Sequence, residues 1–248
     1  MLNAKWPIAW EFSFRRINWG LTAVCGGAMA LLLALATGLW DGQIGPFPTS
    51  RVVELLVPLF AGWQAAYVFS PEDERPLELM LAAPRPIIWV VLERLALLLL
   101  VYLALGGLAT LLTLTVTPSI TFGGLLLRWL PPLFWLMGLG LYLALLTRQG
   151  TLGALVVLVL CGASAVGGGG LPAELRWIAP LLPYLQFGAA NVSSEMYTLN
   201  RITLTLGGLL LVGLALRRSQ NTAHLLGIPE SSPVAHTATK QESAGFAD

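Results

Sequence analysis

Residues 95–116 read LALLLLVYLALGGLATLLTLTV and contain no charged side chain. A helix needs about 20 apolar residues to cross the hydrocarbon core of a bilayer, which is about 30 Å thick. This stretch therefore predicts a transmembrane helix. Upstream, Glu93 and Arg94 interrupt an apolar run that begins at residue 87. The predicted span is 87–116, with its hydrocarbon part beginning near Leu95.

The composition extends this conclusion to the whole chain. Of the 248 residues, 56% are hydrophobic and 11% are charged, and the mean hydropathy is +0.75. Average globular chains are about 45–50% apolar and about 25% charged. The chain cannot cover itself with a water-facing surface, which excludes an ordinary soluble domain. Its net charge of +1 gives no basic face for nucleic acid.

The positions of the histidines and cysteines do not indicate catalysis, metal binding or disulfide bonds. His224 and His236, the only histidines, lie in a polar C-terminal stretch. Cys25 and Cys161 both lie in apolar runs, so no disulfide framework is expected. We therefore predict no catalytic residue and no metal site in the apolar part of the chain.

Five further apolar stretches are candidate spans, which predicts an all-α integral membrane protein with six transmembrane helices. The last stretch is short, and the chain entering it is predicted to be tilted or partly re-entrant. Glycine pairs within the spans predict close helix packing without showing which helices pair. The predicted spans are 19–40, 52–69, 87–116, 125–146, 151–170 and 202–216.

Three other segments surround or interrupt this six-span domain, which covers residues 19–218. Residues 1–18 are predicted to form an interfacial helix on the inner leaflet, because their aromatic residues fall on one helix face. Prolines at 172, 180 and 183 predict two short re-entrant helices in the outer leaflet before the last span. Residues 219–248 are polar and are predicted to be a disordered cytoplasmic tail.

The basic residues predict the orientation of the spans. With the N-terminus inside, the inner segments hold ten lysines and arginines and the outer segments hold four, so the positive-inside rule favours cytoplasmic termini. An Ala34-x-Ala36 pattern also allows the first span to be a cleaved signal peptide. We favour an uncleaved span, since the apolar run continues to Trp40 and cleavage would leave five spans. The outer four are Arg51, Arg128, Arg176 and Arg201.

One pair of charges stands at the predicted start of the second span. Arg51 and Glu54 are spaced to meet on one face of a helix. We interpret them as a local ion pair, with a role near the outer mouth of a pathway as the alternative.

The longest inner loop lies in residues 70–95, SPEDERPLELMLAAPRPIIWVVLERL. Acidic residues 72–74 favour a helix start, and Leu77, Met80 and Leu81 follow at helical spacing. Pro84 ends the element. About ten residues give a helix of about 15 Å, half a bilayer. The helix is therefore predicted to lie across the inner face, where its apolar stripe docks either on another protein or on the chain's own spans.

The same stretch is similar to the inner loop of type-2 ABC exporter permeases. In that family a Leu-Glu-Leu-Leu-Leu-like run forms the coupling helix, which contacts the ATP-binding subunit. The family often has Gly-Thr between the Arg and the Leu, where this chain has Pro76 alone. With the six spans and the interfacial helix, the resemblance covers about residues 5–218. The matching residues are Glu74, Arg75, Leu77, Glu78, Leu79, Met80, Leu81 and Pro84.

The resemblance implies a permease subunit of an ATP-driven exporter in the cell (inner) membrane. The chain contains no G-x-x-x-x-G-K-[ST] phosphate loop, so ATP and Mg are expected in a partner, the ABC ATP-binding subunit. We expect this chain not to be an enzyme by itself and to bind no cofactor. The resemblance also implies a second permease subunit, identical or related, and the sequence does not indicate the substrate.

In the family, a central route lies between two permeases and is lined partly by the first, second and fifth spans. Polar or small side chains in those spans are the corresponding candidates in this chain, and for each of them taken singly ordinary helix packing is the favoured explanation. Gln64 stands out because a buried amide is costly without a partner. The candidates are Thr22, Thr37, Gln64, Thr151 and Ser164.

Two other functions are open to a chain of this composition. An ion- or proton-coupled carrier places ionisable residues inside the membrane, whereas here nearly all of them lie near predicted span ends. An intramembrane enzyme needs paired catalytic groups at depth, and the predicted spans contain no histidine to act with Ser164.

Overall fold

The computed structural model describes residues 19–39, 43–44, 47–68, 87–116, 121–167, 180–184 and 193–220. The predicted interfacial helix, coupling helix and cytoplasmic tail beyond residue 220 lie outside these ranges. Of the predicted re-entrant segment before the last span, the structure describes residues 180–184, which form a turn, and residues 193–200, which cap and begin the last helix.

The described residues form six α-helices and one very short β-hairpin. Strands β1 (Gln43–Ile44) and β2 (Phe47–Pro48) are antiparallel, with Gln43 opposite Pro48. The helices are α1 (Trp19–Leu39), α2 (Thr49–Val68), α3 (Ile87–Val116), α4 (Phe122–Thr147), α5 (Gly150–Gly167) and α6 (Ser194–Ser219).

Side-chain caps fix the starts of α4 and α6. The Thr121 hydroxyl accepts a hydrogen bond from the Gly124 amide at 3.2 Å, and the Ser193 hydroxyl accepts one from the Met196 amide at 3.2 Å. Each cap satisfies an amide that has no partner within its own helix. Arg148 ends α4 in the left-handed conformation, with φ 62°. These local signals explain why α4 and α5 are separate helices.

Three helices are long and apolar enough to cross a membrane, namely α3, α4 and α6. A membrane-protein-like, helical architecture is therefore confirmed. The described parts of α1 and α5 are shorter apolar helices. Helix α2 has buried polar residues in its interior, which lower its hydropathy. For α1, α2 and α5, crossing of the membrane remains a prediction.

The sixth helix differs from its predicted bounds. It begins at Ser194, whereas the predicted span begins at residue 202, so the residues entering the span, predicted to be tilted or partly re-entrant, continue the same helix. The predicted span was short because the residues of the first two turns are polar. In the structure, Asn200 and Arg201 are buried and bonded to other parts of the chain, so their polarity is compatible with a helix.

Helix α4 is the centre of the described bundle. It contacts α2, α3, α5 and α6. Of the residues in the most apolar 18-residue stretch of each helix, 56% are buried in α4, against 33% in α3 and 28% in α6. Helix α1 packs against α2 and α3 on the other side of the core. The main core cluster accordingly draws its side chains from α1 to α4, including Met29, Val57, Tyr102 and Leu133.

Glycines bring the backbones of α2 and α6 against α4. A Cβ at Gly138 would lie 2.5 Å from the Gly208 carbonyl oxygen, and a Cβ at Gly140 would collide with the Gly62 carbonyl. Small residues allow such close approach in membranes, where apolar side chains gain little by leaving lipid. The predicted close packing at Gly138-x-Gly140 therefore joins α4 to α6 through one glycine and to α2 through the other.

The contacts between helices define two ends of the bundle. The starts of α2 and α6 meet through Glu54 and Arg201, and we call this the Glu54 end. At the opposite end, Ile87 at the start of α3 clusters with Leu145 of α4 and Ala215 of α6. We call this the Arg94 end. Successive helices thus alternate in direction, as they do in a multi-span protein.

The outer faces of the bundle are strongly apolar. Leu100 of α3 is 62% exposed, and Leu206 and Leu210 of α6 are 62% and 64% exposed. Soluble monomers rarely expose large contiguous apolar patches. These faces fit contact with lipid or with another membrane subunit.

Replacing Gly138 by Ala should destabilise the bundle, because the new methyl group meets the Gly208 carbonyl. Overpacking of this kind typically costs about 1–3 kcal/mol. The matched control is Gly107→Ala, since a Cβ at Gly107 meets nothing within 4 Å. We expect Gly138→Ala to lower the melting temperature in detergent and Gly107→Ala to leave it unchanged or slightly higher. Equal melting temperatures for the two variants would contradict the assigned contact between α4 and α6.

Candidate functional site

Buried polar side chains mark the candidate sites, because they are costly in an apolar bundle unless they are bonded. Among the described residues, Trp129 Nε1 of α4 donates to Thr110 Oγ1 of α3 at 3.0 Å, and the buried polar side chains that carry a charge or an amide form three further groups. We call these the Glu54 cluster, the Gln64 cluster and the Arg94 contact, and each joins different helices.

The Glu54 cluster is centred on a salt bridge between α2 and α6. Arg201 Nη2 donates to Glu54 Oε1 at 2.9 Å, and the two side chains are 6% and 2% exposed. The Arg201 guanidinium also lies over the Tyr197 ring, with Cζ 4.7 Å from the ring centroid. Arg201 Nε and Nη1 are buried and have no hydrogen-bond partner among the described residues.

Two further arginines lie near the Glu54 carboxylate. Arg51 and Arg128 also lie close enough to act electrostatically on the Glu54 carboxylate, in addition to Arg201. The sequence prediction paired Glu54 only with Arg51, and the structure adds Arg201 as a direct partner. The Glu54 carboxylate therefore lies within electrostatic reach of three arginines.

A turn at residues 180–184 is anchored on the same end. Asn200 Nδ2 of α6 donates to the carbonyls of Pro180 and Leu182 at 2.9 and 3.0 Å. The Tyr184 hydroxyl donates to the Leu55 carbonyl of α2 at 3.1 Å, and Cys161 Sγ of α5 lies 3.6 Å from it. Burial raises the pKa of the Tyr184 hydroxyl well above its ordinary value, so the group stays protonated and able to donate. The turn thus connects α2, α5 and α6.

An open groove of about 370 Å³ lies beside the Glu54 cluster, between α4 and α6. Its lining is mainly apolar, and Arg201 forms part of its wall. No three His, Cys, Asp or Glu side chains among the described residues lie close enough together to hold a metal ion. The lining includes Leu127 and Pro131 of α4 and Tyr197, Thr198, Arg201 and Ile202 of α6.

The Gln64 cluster joins α1, α2 and α3. Gln64 Oε1 accepts hydrogen bonds from Thr22 Oγ1 at 3.2 Å and from the Tyr102 hydroxyl at 2.9 Å. Gln64 is 1% exposed and Thr22 is 8% exposed. The amide oxygen that stood out in the sequence therefore has two partners, and the cluster holds three helices together.

The other predicted pathway residues are placed apart from Gln64. Ser164 is buried, and its hydroxyl donates to the carbonyls of Leu160 and Cys161 in its own helix. Thr151 is exposed at the start of α5. Thr37 lies in the part of α1 whose side chains are not described. Of the five candidates, the described residues bring only Thr22 and Gln64 into contact.

The Arg94 contact joins the two helices that flank the predicted inner loop. Arg94 is fully buried, and its Nη1 donates to the Val68 carbonyl at 3.0 Å. Val68 is the last residue of α2, where the helix dipole is negative, so a cation is favoured there. The coupling residues predicted at 74–84 lie in this loop, outside the described residues.

Sequence reasoning missed Arg201, Asn200 and Tyr184 as members of one cluster. Glu54 and Arg201 are 147 positions apart, and no spacing rule connects them. The available signal was a run of polar residues directly before the last apolar stretch. Arg94 was visible only as an interruption of the third span.

Comparison with known proteins found no matching family model, no matching curated protein and no matching solved structure.

Replacing Arg201 by Leu should leave Glu54 buried without its direct partner. Breaking a buried pair typically costs about 3–5 kcal/mol, whereas replacing both partners is often close to neutral. We expect a loss at the lower end of that range, because Arg51 and Arg128 remain near Glu54. The double variant Glu54→Leu/Arg201→Leu should recover most of the loss. The measurement is thermal unfolding of all three variants in the same detergent, and a double variant less stable than Arg201→Leu would refute the pairing.

Proposed function

We propose that this chain is the transmembrane permease subunit of an ATP-driven ABC transporter, an exporter that uses a separate ATP-binding subunit. The observation that carries the proposal is the run Glu74 to Pro84, which resembles the coupling helix of type-2 ABC exporter permeases. The helical, apolar bundle around it is compatible with such a subunit. The substrate is left open.

The structure around the loop supports a coupling role. The bond from Arg94 to the Val68 carbonyl holds the end of α2 against the first turns of α3, the two helices that residues 69–86 connect. The start of α3 also clusters with α4 and α6 through Val91, Leu141 and Ala215. A force applied to the loop would therefore reach four helices.

The proposed docking face for the ATPase is Leu77, Met80 and Leu81. Burying one such side chain contributes roughly 1.5–3 kcal/mol, whereas an exposed ion pair contributes about 0–1 kcal/mol. The apolar face should supply most of the affinity. The charged rim, formed by Glu74, Arg75 and Glu78, should set the orientation.

The proposal includes six spans, cytoplasmic termini and a location in the cell (inner) membrane. The Arg94 end would then face the cytoplasm and the Glu54 end the outside. The ATPase, with its ATP and Mg, would dock at the Arg94 end. A second permease subunit would complete the transport unit, and the apolar outer faces of the bundle provide surface for it.

An ion- or proton-coupled carrier is the second candidate. The buried pair Glu54–Arg201 favours it, since ionisable residues inside membrane bundles often belong to ion pathways. Reconstituted vesicles separate the two functions. Transport that needs ATP and the partner ATPase supports the permease, whereas transport driven by a proton gradient alone supports the carrier.

We expect Met80→Asp to block coupling, because it places a charge in the proposed apolar docking face. The variant should fold and insert normally, capture at least about tenfold less ATPase and lose ATP-driven transport. A tenfold loss corresponds to about 1.4 kcal/mol, less than the burial of one such side chain. Met80→Leu is the matched control and should behave as the wild type. Pull-down and transport are measured on the same preparations.

Normal ATPase capture and normal transport by Met80→Asp would exclude a coupling helix at this position. If Met80→Leu also lost ATPase capture and transport, the effect of Met80→Asp could not be attributed to its charge.

Single cysteines test the proposed orientation. A membrane-impermeant thiol reagent added outside should label Gln43→Cys and Ser194→Cys but not Ala82→Cys or Gln220→Cys. The native Cys25 and Cys161 are buried, so they should give little background. Labelling of Ala82→Cys from outside in sealed cells would contradict the proposed orientation.

A further inference from the structure

We propose that the Glu54 end of the bundle is a gate, which opens when the first halves of α2 and α4 swing away from α6. The pivots are prolines inside α2 and α4, and the salt bridge between Glu54 and Arg201 is the latch that keeps the gate closed. The movement takes place within one chain and does not depend on an ATPase.

Prolines interrupt α2 and α4 at one level of the bundle. Pro58 lies inside α2, and Pro131 and Pro132 lie inside α4. A proline has no amide hydrogen, so each removes the helical hydrogen bond to the carbonyl four residues before it. A Cβ at Gly62 would lie 2.7 Å from Leu136 Cβ, and Pro58 and Pro132 each precede this contact by four residues. The two neighbouring helices can therefore bend at the same level.

The helices are held differently on the two sides of this level. On the Arg94 side, Gly138 and Gly208 bring the backbones of α4 and α6 into contact. On the Glu54 side, the groove of about 370 Å³ lies between the same two helices, with Leu127 on one wall and Ile202 on the other. The tight backbone contact thus lies on one side of the prolines and the groove lies on the other, so the first half of α4 can move while that contact stays in place.

Two polar bonds between described residues cross the proposed gate. One is the salt bridge from Arg201 to Glu54, at 2.9 Å. The other is the bond from the Tyr184 hydroxyl to the Leu55 carbonyl, at 3.1 Å, because Asn200 bonds the turn at 180–184 to α6. Both acceptors lie in the part of α2 before its proline. A buried ion pair adds little net stability over an apolar pair, so this one is suited to fixing one of two arrangements.

Cys161 of α5 lies behind the gate and reports its opening. Its side chain is buried, with Sγ 3.6 Å from the Tyr184 hydroxyl, and it belongs to a cluster against which Leu55 packs. Separation of Tyr184 from Leu55 would uncover the thiol. Cys25 of α1 is buried in the main core cluster instead, so it reports unfolding of the whole bundle.

The latch is tested by the rate at which N-ethylmaleimide labels the two cysteines of the purified full chain in detergent, measured for each by peptide mass spectrometry. The variant Glu54→Ala/Arg201→Ala removes the latch and leaves neither charge buried alone. Cys161 should label at least about tenfold faster than in the wild type, and Cys25 should stay within about twofold, because only local opening increases. If this variant does not fold, Glu54→Gln takes its place, since it keeps the size of the side chain, and it should speed Cys161 labelling about threefold.

The pivot is tested by adding Pro58→Ala to the latch variant. The new amide at position 58 can donate to the carbonyl of residue 54, so Cys161 labelling should slow at least about threefold. The matched control adds Pro48→Ala, which lies in β2 outside the helices and should leave labelling fast. The proposal is overturned if Cys161 of the latch variant labels no faster than in the wild type, or if Cys25 accelerates equally. It is also overturned if Pro58→Ala and Pro48→Ala give the same rate.

Discussion

The close approach of α4 to its neighbours is the constraint on which the rest of the structure depends. Inside a membrane, leaving lipid for another apolar surface supplies little free energy, so helices associate through tight backbone contact and polar bonds. Gly138 and Gly208 provide this contact between α4 and α6, and Gly140 and Gly62 provide it between α4 and α2. With α2 and α6 both held against α4, their first turns come within reach of each other. The salt bridge between Glu54 and Arg201 follows from that geometry.

Polar bonds at the two ends of the bundle have different consequences. At the Glu54 end, α2, α5, α6 and the turn at 180–184 are bonded together, and an apolar groove with a cationic wall lies beside them. At the Arg94 end, one bond joins α2 to α3 where the long loop leaves the bundle. The first arrangement joins three helices and a turn, and the second joins the two helices that residues 69–86 connect. Between them, the Gln64 cluster joins α1 to α2 and α3.

The sequence predicted those features that depend on local composition. The bounds of α3 at 87–116 were predicted correctly, because Pro86 stands directly before the apolar run and polar residues follow it. The predicted last span began eight residues after the observed start of α6, because Asn200 and Arg201 are buried and bonded to groups elsewhere in the chain, which hydropathy does not register. Likewise, Gly138-x-Gly140 predicted close packing, but only the fold shows that each glycine meets a different helix. The coupling helix and the transport function rest on the resemblance at 74–84 and stay predictions.

Purification of the chain from its native membranes in mild detergent tests the central claim most directly. Every protein in the purified complex is identified by mass spectrometry, and its ATP hydrolysis is measured. The account predicts a stoichiometric partner that carries the G-x-x-x-x-G-K-[ST] phosphate loop missing from this chain, together with ATP hydrolysis by the complex. A stable, intact protein that purifies without any ATP-binding chain and transports its substrate without ATP would contradict it.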